Sequence, residues 1–205
     1  MKNYKPSYLF ILKKRLQNKN WIVEFYFKNK TVLDIGCGEG EFLLIDKDNF
    51  YGIDINQRVV SGLQAKGLQV KLSSADNIDY QDNFFEGLYC HNVIEHLSVD
   101  KAYNLIKESS RVLVKDGLFV LASELVTKKF WHTFGHVKPY PPEAVVKLLR
   151  HDSREDFEGI DCFEKVAIVY FGQYFKNKIM YFISTFIAYY LPLFRREYYL
   201  VLKKK

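Results

Sequence analysis

The chain has 205 residues, of which 48% are hydrophobic and 17% aromatic, and carries a net charge of +6. That composition excludes a disordered chain, and the length suits a single domain over residues 1–205 with a sizeable core. Charge is unevenly spread: residues 1–30 hold eight lysines and arginines against one acid, residues 31–127 eight against fifteen, and residues 128–205 fourteen against eight.

A basic segment comes first. Residues 8–16 run apolar and then into Lys13, Lys14 and Arg15, which reads as a helix, and residues 21–27 form a second, aromatic-rich stretch. From Thr31 the pattern changes to short apolar runs separated by helical segments. Strands are expected at residues 31–35, 50–54, 69–73, 87–90 and 118–122. A helix is expected at residues 99–114, with Ala102, Leu105, Ile106 and Val112 on one face, before a turn at Lys115-Asp116-Gly117. Strands alternating with helices predict an α/β fold with a mostly parallel sheet covered on both faces. Beyond residue 126, a helix is expected from Pro141-Pro142 to about Arg150. Strand-like runs follow at 165–171 and 197–202, with an apolar insertion at 173–196 between them.

Cys37, Cys90 and Cys162 are odd in number and far apart, with no Cys-x-x-Cys or Cys/His pairing. They read as reduced, buried, cytoplasmic thiols, and no metal site is expected. No N-terminal stretch pairs a charged start with an apolar run and a small-residue cleavage site, which argues against secretion.

The strongest local signal is Val32-Leu33-Asp34-Ile35-Gly36-Cys37-Gly38-Glu39-Gly40. An apolar strand ends in three alternate glycines, and a short helix over residues 41–45 is expected next. Such a turn in an α/β sheet lies where ligands bind, at the carboxyl ends of the strands. The next strand ends at Asp54, twenty residues after Asp34, where a carboxylate can accept from a ribose diol. Dinucleotide folds use G-x-G-x-x-G, which seats a pyrophosphate. Here the spacing is G-x-G-x-G among acids, which suits a ligand carrying an ammonium and a sulfonium.

These residues resemble the class I S-adenosylmethionine-dependent methyltransferases, especially the group acting on small molecules and quinone-like acceptors. The resemblance spans about residues 30–125, and four motifs occur in order. VLDIGCGEGEF resembles the first, which places Asp34, Gly36, Cys37, Gly38 and Gly40 beneath the methionine part of the cofactor. YGIDI implies Asp54 and Ile55 on the ribose. SSADNID implies Asp76 for the adenine, with Ala75 and Asn77 beside it. FFEGLYCHNVIEHL puts Cys90, His91 and Asn92 along the cofactor. The family implies a Rossmann-like, doubly wound sheet of seven strands, mostly parallel with an antiparallel last strand. It makes residues 31–125 the cofactor-binding core and 126–205 the acceptor side. Two departures stand out: Phe85-Glu86-Gly87 precedes strand four where the family has Phe-Asp, and the short 40–54 segment truncates the first helix.

Methyl transfer from a sulfonium is an in-line displacement, so proximity and alignment dominate. A base is needed only where the acceptor loses a proton early. The candidate bases are His136 and His132, in the loop after strand five where similar enzymes build the acceptor pocket, and His96, just after strand four. The sequence after strand four lacks the Asn/Asp-Pro-Pro-aromatic motif of adenine methylation, and no Pro-Cys motif suggests C5 methylation of pyrimidines.

Residues 179–194 contain no charge and are flanked by Lys176, Lys178, Arg195 and Arg196. As a helix they extend about 24 Å, too short for a hydrocarbon core of about 30 Å, and Pro192 interrupts the last turn. Three readings stand for them: a membrane-interface contact, a homodimer surface or hydrophobic acceptor pocket, or plain core. The expected acceptor is a small molecule, hydrophobic or membrane-presented, in a cytoplasmic or membrane-associated enzyme. A nicotinamide-dependent oxidoreductase lacks the required glycine spacing, RNA methylation lacks a nucleic-acid module, and a non-catalytic partner would bind cofactor without turnover.

Overall fold

The computed structural model describes residues 4–17, 20–150, 157–173, 175 and 177–205. Seven strands form one sheet: β1 (Val32–Ile35), β2 (Phe50–Asp54), β3 (Gln69–Leu72), β4 (Phe85–His91), β5 (Leu113–Glu124), β6 (Phe163–Phe171) and β7 (Glu197–Lys204). Their order is β3-β2-β1-β4-β5-β7-β6. The first five pair in parallel, and β7 runs antiparallel to both β5 and β6. The expected α/β architecture is present. Its helices are α1 (Tyr8–Leu16), α2 (Gln57–Ala65), α3 (Val99–Val112), α4 (Pro142–Leu148) and α5 (Lys178–Tyr190).

Side chains alternate across each strand, so every central strand feeds two apolar layers. Leu33, Ile35, Leu88, Cys90, Phe119 and Leu121 pack on one face with Leu105 and Ile106 of α3. Val32, Tyr89, Val120 and Val201 pack on the other with Trp21, Ile22 and Phe27. The aromatic stretch at 21–27 is therefore core: its last five residues, Val23–Phe27, wind as a π-helix, and Phe27 is fully buried. Burying one such ring is worth about 1.5–3 kcal/mol. It also explains Gly87 inside β4, because a Cβ there would sit 2.6 Å from the Phe27 ring.

Several boundaries differ from the sequence expectation. The run over residues 41–45 gives only a 3-10 turn at Leu43–Ile45. The helix expected to reach residue 114 stops at Val112, and β5 starts at Leu113. Lys115-Asp116-Gly117 is not a turn into the strand but a loop-out within it. Phe85 faces Leu113 and Gly87 already faces Leu118, with Asp116 taking a φ of 63°. The helix expected to reach Arg150 ends at Leu148.

The apolar insertion forms α5, capped by Asn177, whose side chain accepts from the amides of Ile179 and Met180. A 3-10 turn at Pro192–Phe194 then leads into β7. Among the described residues no helix is long and apolar enough to cross a membrane. Lys176, one of the expected flanks, lies outside the described residues. The helix meets the other end of the chain: Tyr8 of α1 donates to the Phe182 carbonyl at 2.8 Å and packs edge-on against Phe186.

Candidate active site

The glycine turn leaves β1 at the carboxyl edge of the sheet. Gly36, Gly38 and Gly40 all have positive φ, at 75°, 49° and 77°. Gly36 admits no other residue, since a Cβ would lie 2.4 Å from Val93 Cγ2 on top of the unfavourable backbone. Asp54, at the end of β2, holds the turn: its carboxylate accepts from the Gly38 amide at 3.0 Å and the Asn56 amide at 2.8 Å.

Beside the turn lies a cavity of about 520 Å³, lined by Asp34, Gly36, Cys37, Tyr89 and His91 among others. Asp34, Glu39 and Glu41 all line it, and among the described residues no lysine or arginine does. Burial pushes the Asp34 carboxyl up to about 7; His91 pulls it down and Asp54 adds to the rise. The Cys37 thiol is driven up to about 12 by burial and by the same two aspartates, so it stays protonated. A carboxylate held this far from water is satisfied by a cationic ligand. The donor set therefore fits the ammonium and sulfonium of S-adenosylmethionine and disfavours a pyrophosphate.

His91 closes the cavity on its far side. Burial pulls its pKa down, but the hydrogen bond and charge of Glu197, with help from Glu95 and Asp34, reverse this and hold it above the ordinary range. Its Nε2 donates to Glu197 Oε1 at 2.6 Å, a carboxylate that also accepts from the Tyr199 hydroxyl at 3.1 Å. The ring is sandwiched between Tyr89 and Tyr199.

On the other side of His91 opens a second cavity of about 370 Å³. Its walls include Arg15 of α1, Tyr181 of α5, and Glu124, Arg196 and Glu197 at the β5–β7 end. Arg15 lies over the rings of Phe171 and Tyr181, and its Nε is buried without a hydrogen-bond partner. The cavity shares Gln173 and Arg196 with an apolar groove of about 320 Å³ along α5 that includes Met180, Ile183 and Ile187.

Of the residues expected at the cofactor, the first cavity gathers Asp34, Gly36, Cys37 and His91, and the second adds Asn92. Gly38, Gly40, Asp54, Ile55, Ala75, Asp76, Asn77 and Cys90 stand outside both linings. Ile55 is exposed and Ala75 buried. Asp76 accepts from Ser74 Oγ, lies 3.9 Å from Lys101 Nζ, and sits in a short bridge between Ser74 and Asn77. Arg111 and Glu108 fasten the segment that follows: Arg111 donates to the carbonyls of Ile78 and Tyr80, each at 2.7 Å, and Glu108 accepts from the Ile78 amide. The histidines expected as bases line neither cavity. His96 and His136 meet each other instead, with ring centroids 4.9 Å apart, and His132 is exposed. Arg15, Tyr181, Glu197 and Tyr199 were missed by sequence reasoning. They come from opposite ends of the chain, and no local pattern marks them.

Residues 33–121 match the family profile described as "Methyltransferase domain". The chain is 35% identical over 93 residues to the tRNA (carboxymethyluridine(34)-5-O)-methyltransferase of Arabidopsis thaliana, covering 44% of this chain and 23% of that protein. It is 30% identical over 125 residues to the "Probable tRNA methyltransferase 9B" of Bos taurus, covering 56% and 28%. The chain thus spans about a quarter of the length of these two relatives. The fold matches a SAM dependent methyltransferase from Archaeoglobus fulgidus with a TM-score of 0.66 at 21% identity, over 98% of this chain and 96% of that one.

Proposed function

We propose that this chain, which belongs to the class I S-adenosylmethionine-dependent methyltransferases, transfers the cofactor's methyl group to an amphipathic acceptor held between α1 and α5. The observation that carries the reading is the position of His91, which lines the acidic cavity at the glycine turn and the mixed cavity beyond it. When bound, the cofactor supplies an electrophilic methyl group on a sulfonium. Asp34 and the glycine turn would hold its methionine end, and Asp54 stiffens that turn through the Gly38 amide. Orientation and exclusion of water are the main demands of such a displacement.

The second cavity supports a polar acceptor head, with Arg15 and Arg196 beside Glu124 and Glu197. The continuing groove along α5 supports an apolar tail. Ile179, Ile183, Phe186 and Tyr190 form an exposed stripe at helical spacing on the same helix, which supports docking at a membrane interface. The test uses isotopically labelled S-adenosylmethionine in cell extracts, separated into lipid, water-soluble and RNA fractions. Label in the lipid fraction, with sedimentation of the protein on anionic liposomes, is the expected result. A second reading, methylation of tRNA, draws on the names of the two relatives and the basic N-terminal segment. Label confined to the RNA fraction would favour it and overturn the first.

A further inference from the structure

We propose that Glu95, His96 and His136 form a binding site for one divalent transition-metal ion of the zinc class. One ligand atom from each residue lies within 4.8 Å of the other two. The histidines are already set in the tautomer that metal ligation needs. His96 Nδ1 donates to the Gly135 carbonyl at 2.8 Å, and His136 Nδ1 donates to the Phe130 carbonyl at 2.8 Å. Each Nε2 is thereby left as a lone-pair donor, the arrangement in which a carbonyl fixes the ring and raises its basicity toward a metal.

Glu95 supplies the independent observation. It is 0% exposed, its Oε2 accepts from Ser123 Oγ at 3.0 Å, and its Oε1 is buried with no hydrogen-bond partner. An orphaned buried carboxylate oxygen bears its full desolvation cost unless a cation satisfies it. The backbone holds the cluster together as well: the amides of Val137 and Lys138 both donate to the Glu95 carbonyl, at 2.8 and 3.3 Å. This pins the His136 loop to the turn after β4.

Two imidazoles and one carboxylate make a borderline-soft set that prefers Zn²⁺ and its neighbours over Mg²⁺ or Ca²⁺. Three protein ligands would leave at least one coordination position open, and His96 is exposed. An ion here would clamp the 130–137 loop to the turn after β4.

The experiment uses Co²⁺ as a spectroscopic probe on the purified chain stripped with chelator. One Co²⁺ per chain, a visible d–d spectrum and displacement by Zn²⁺ are expected. His96→Ala and His136→Ala should each weaken binding by at least about tenfold, while His132→Ala leaves it unchanged. Binding of S-adenosylhomocysteine by each variant, read separately by calorimetry, confirms that it is folded. If the native chain binds no Co²⁺ stoichiometrically, or if folded His96→Ala and His136→Ala chains bind it as the native chain does, the site does not exist. Neither result depends on the acceptor or on turnover.

Discussion

Replacing Asp34 by Asn removes a charge from the cofactor cavity with little change of shape, and its effect should depend on pH. In the folded chain the carboxyl is lifted from its usual 3.8 to about 7, chiefly by burial. The native state therefore binds the proton more tightly than the unfolded chain does, and stability falls as pH rises between those values. Above about pH 7 the penalty is full, about 4 kcal/mol, and near pH 5 less than half of it is felt. An asparagine imitates the protonated form at every pH. The stability gap between D34N and the native chain should thus shift by about 3 kcal/mol in favour of D34N from pH 5 to pH 8. In urea melts that is a relative shift of the midpoint of roughly 1 M. Any packing loss caused by the substitution is the same at both pH values and drops out of the comparison. A gap that stays constant across the range would refute the buried-carboxylate argument. In the same protein, calorimetry at pH 8 should show S-adenosylhomocysteine binding weakened at least about tenfold, since the ammonium loses its anionic partner.

Gly36→Ala forces a side chain into positive φ and onto Val93. It should cost about 2 kcal/mol or more in chemical denaturation and abolish cofactor binding by calorimetry. Glu197→Gln removes the carboxylate that raises the His91 pKa. A histidine with a raised folded pKa stabilises the fold fully below its unfolded value, about 6.5, and loses that contribution as pH rises through the folded value. The difference in melting temperature between native chain and E197Q should be largest below that value and shrink at alkaline pH. Arg111→Met cuts the bonds to the Ile78 and Tyr80 carbonyls. It should lower stability by about 2 kcal/mol and speed hydrogen exchange in residues 74–82 while leaving the glycine turn protected.

The first half of the sheet was legible because its signals are local. The runs at 32–35 and 50–54 are short apolar stretches, as in a sheet buried on both faces, and glycines and acids mark where the strands end. The start of β5 was misread because Lys115-Asp116-Gly117 carries ordinary turn chemistry, and only pairing with β4 absorbs it as a loop-out. The aromatic stretch at 21–27 gave no sign that it lies beneath Gly87, since that contact joins residues sixty positions apart. The candidate site divides in the same way. Asp34 and the three glycines sit in one stretch of sequence, and the structure lines one cavity with Asp34 and Gly36. Arg15, Tyr181 and Glu197 meet only when the two ends of the chain fold back on the sheet. The histidines were singled out as bases, but His96 and His136 are held by the Gly135 and Phe130 carbonyls and line neither cavity. No spacing rule connects a Glu-His pair to a histidine forty residues later.

The pairing of α1 with α5 has a consequence for how such a protein changes. The acidic middle of the chain supplies the glycine turn, while the wall around the second cavity is drawn largely from the two basic ends, joined through Tyr8 and Phe182. Substitutions in α1 or α5 therefore remodel what enters that wall without disturbing β1, β2 or the glycines. Exchange of the end segments as a matched pair is the natural unit of redesign, because either helix alone leaves its partner's apolar side uncovered. If the acceptor sits in the second cavity as proposed, changing the ends and keeping the centre alters the substrate range.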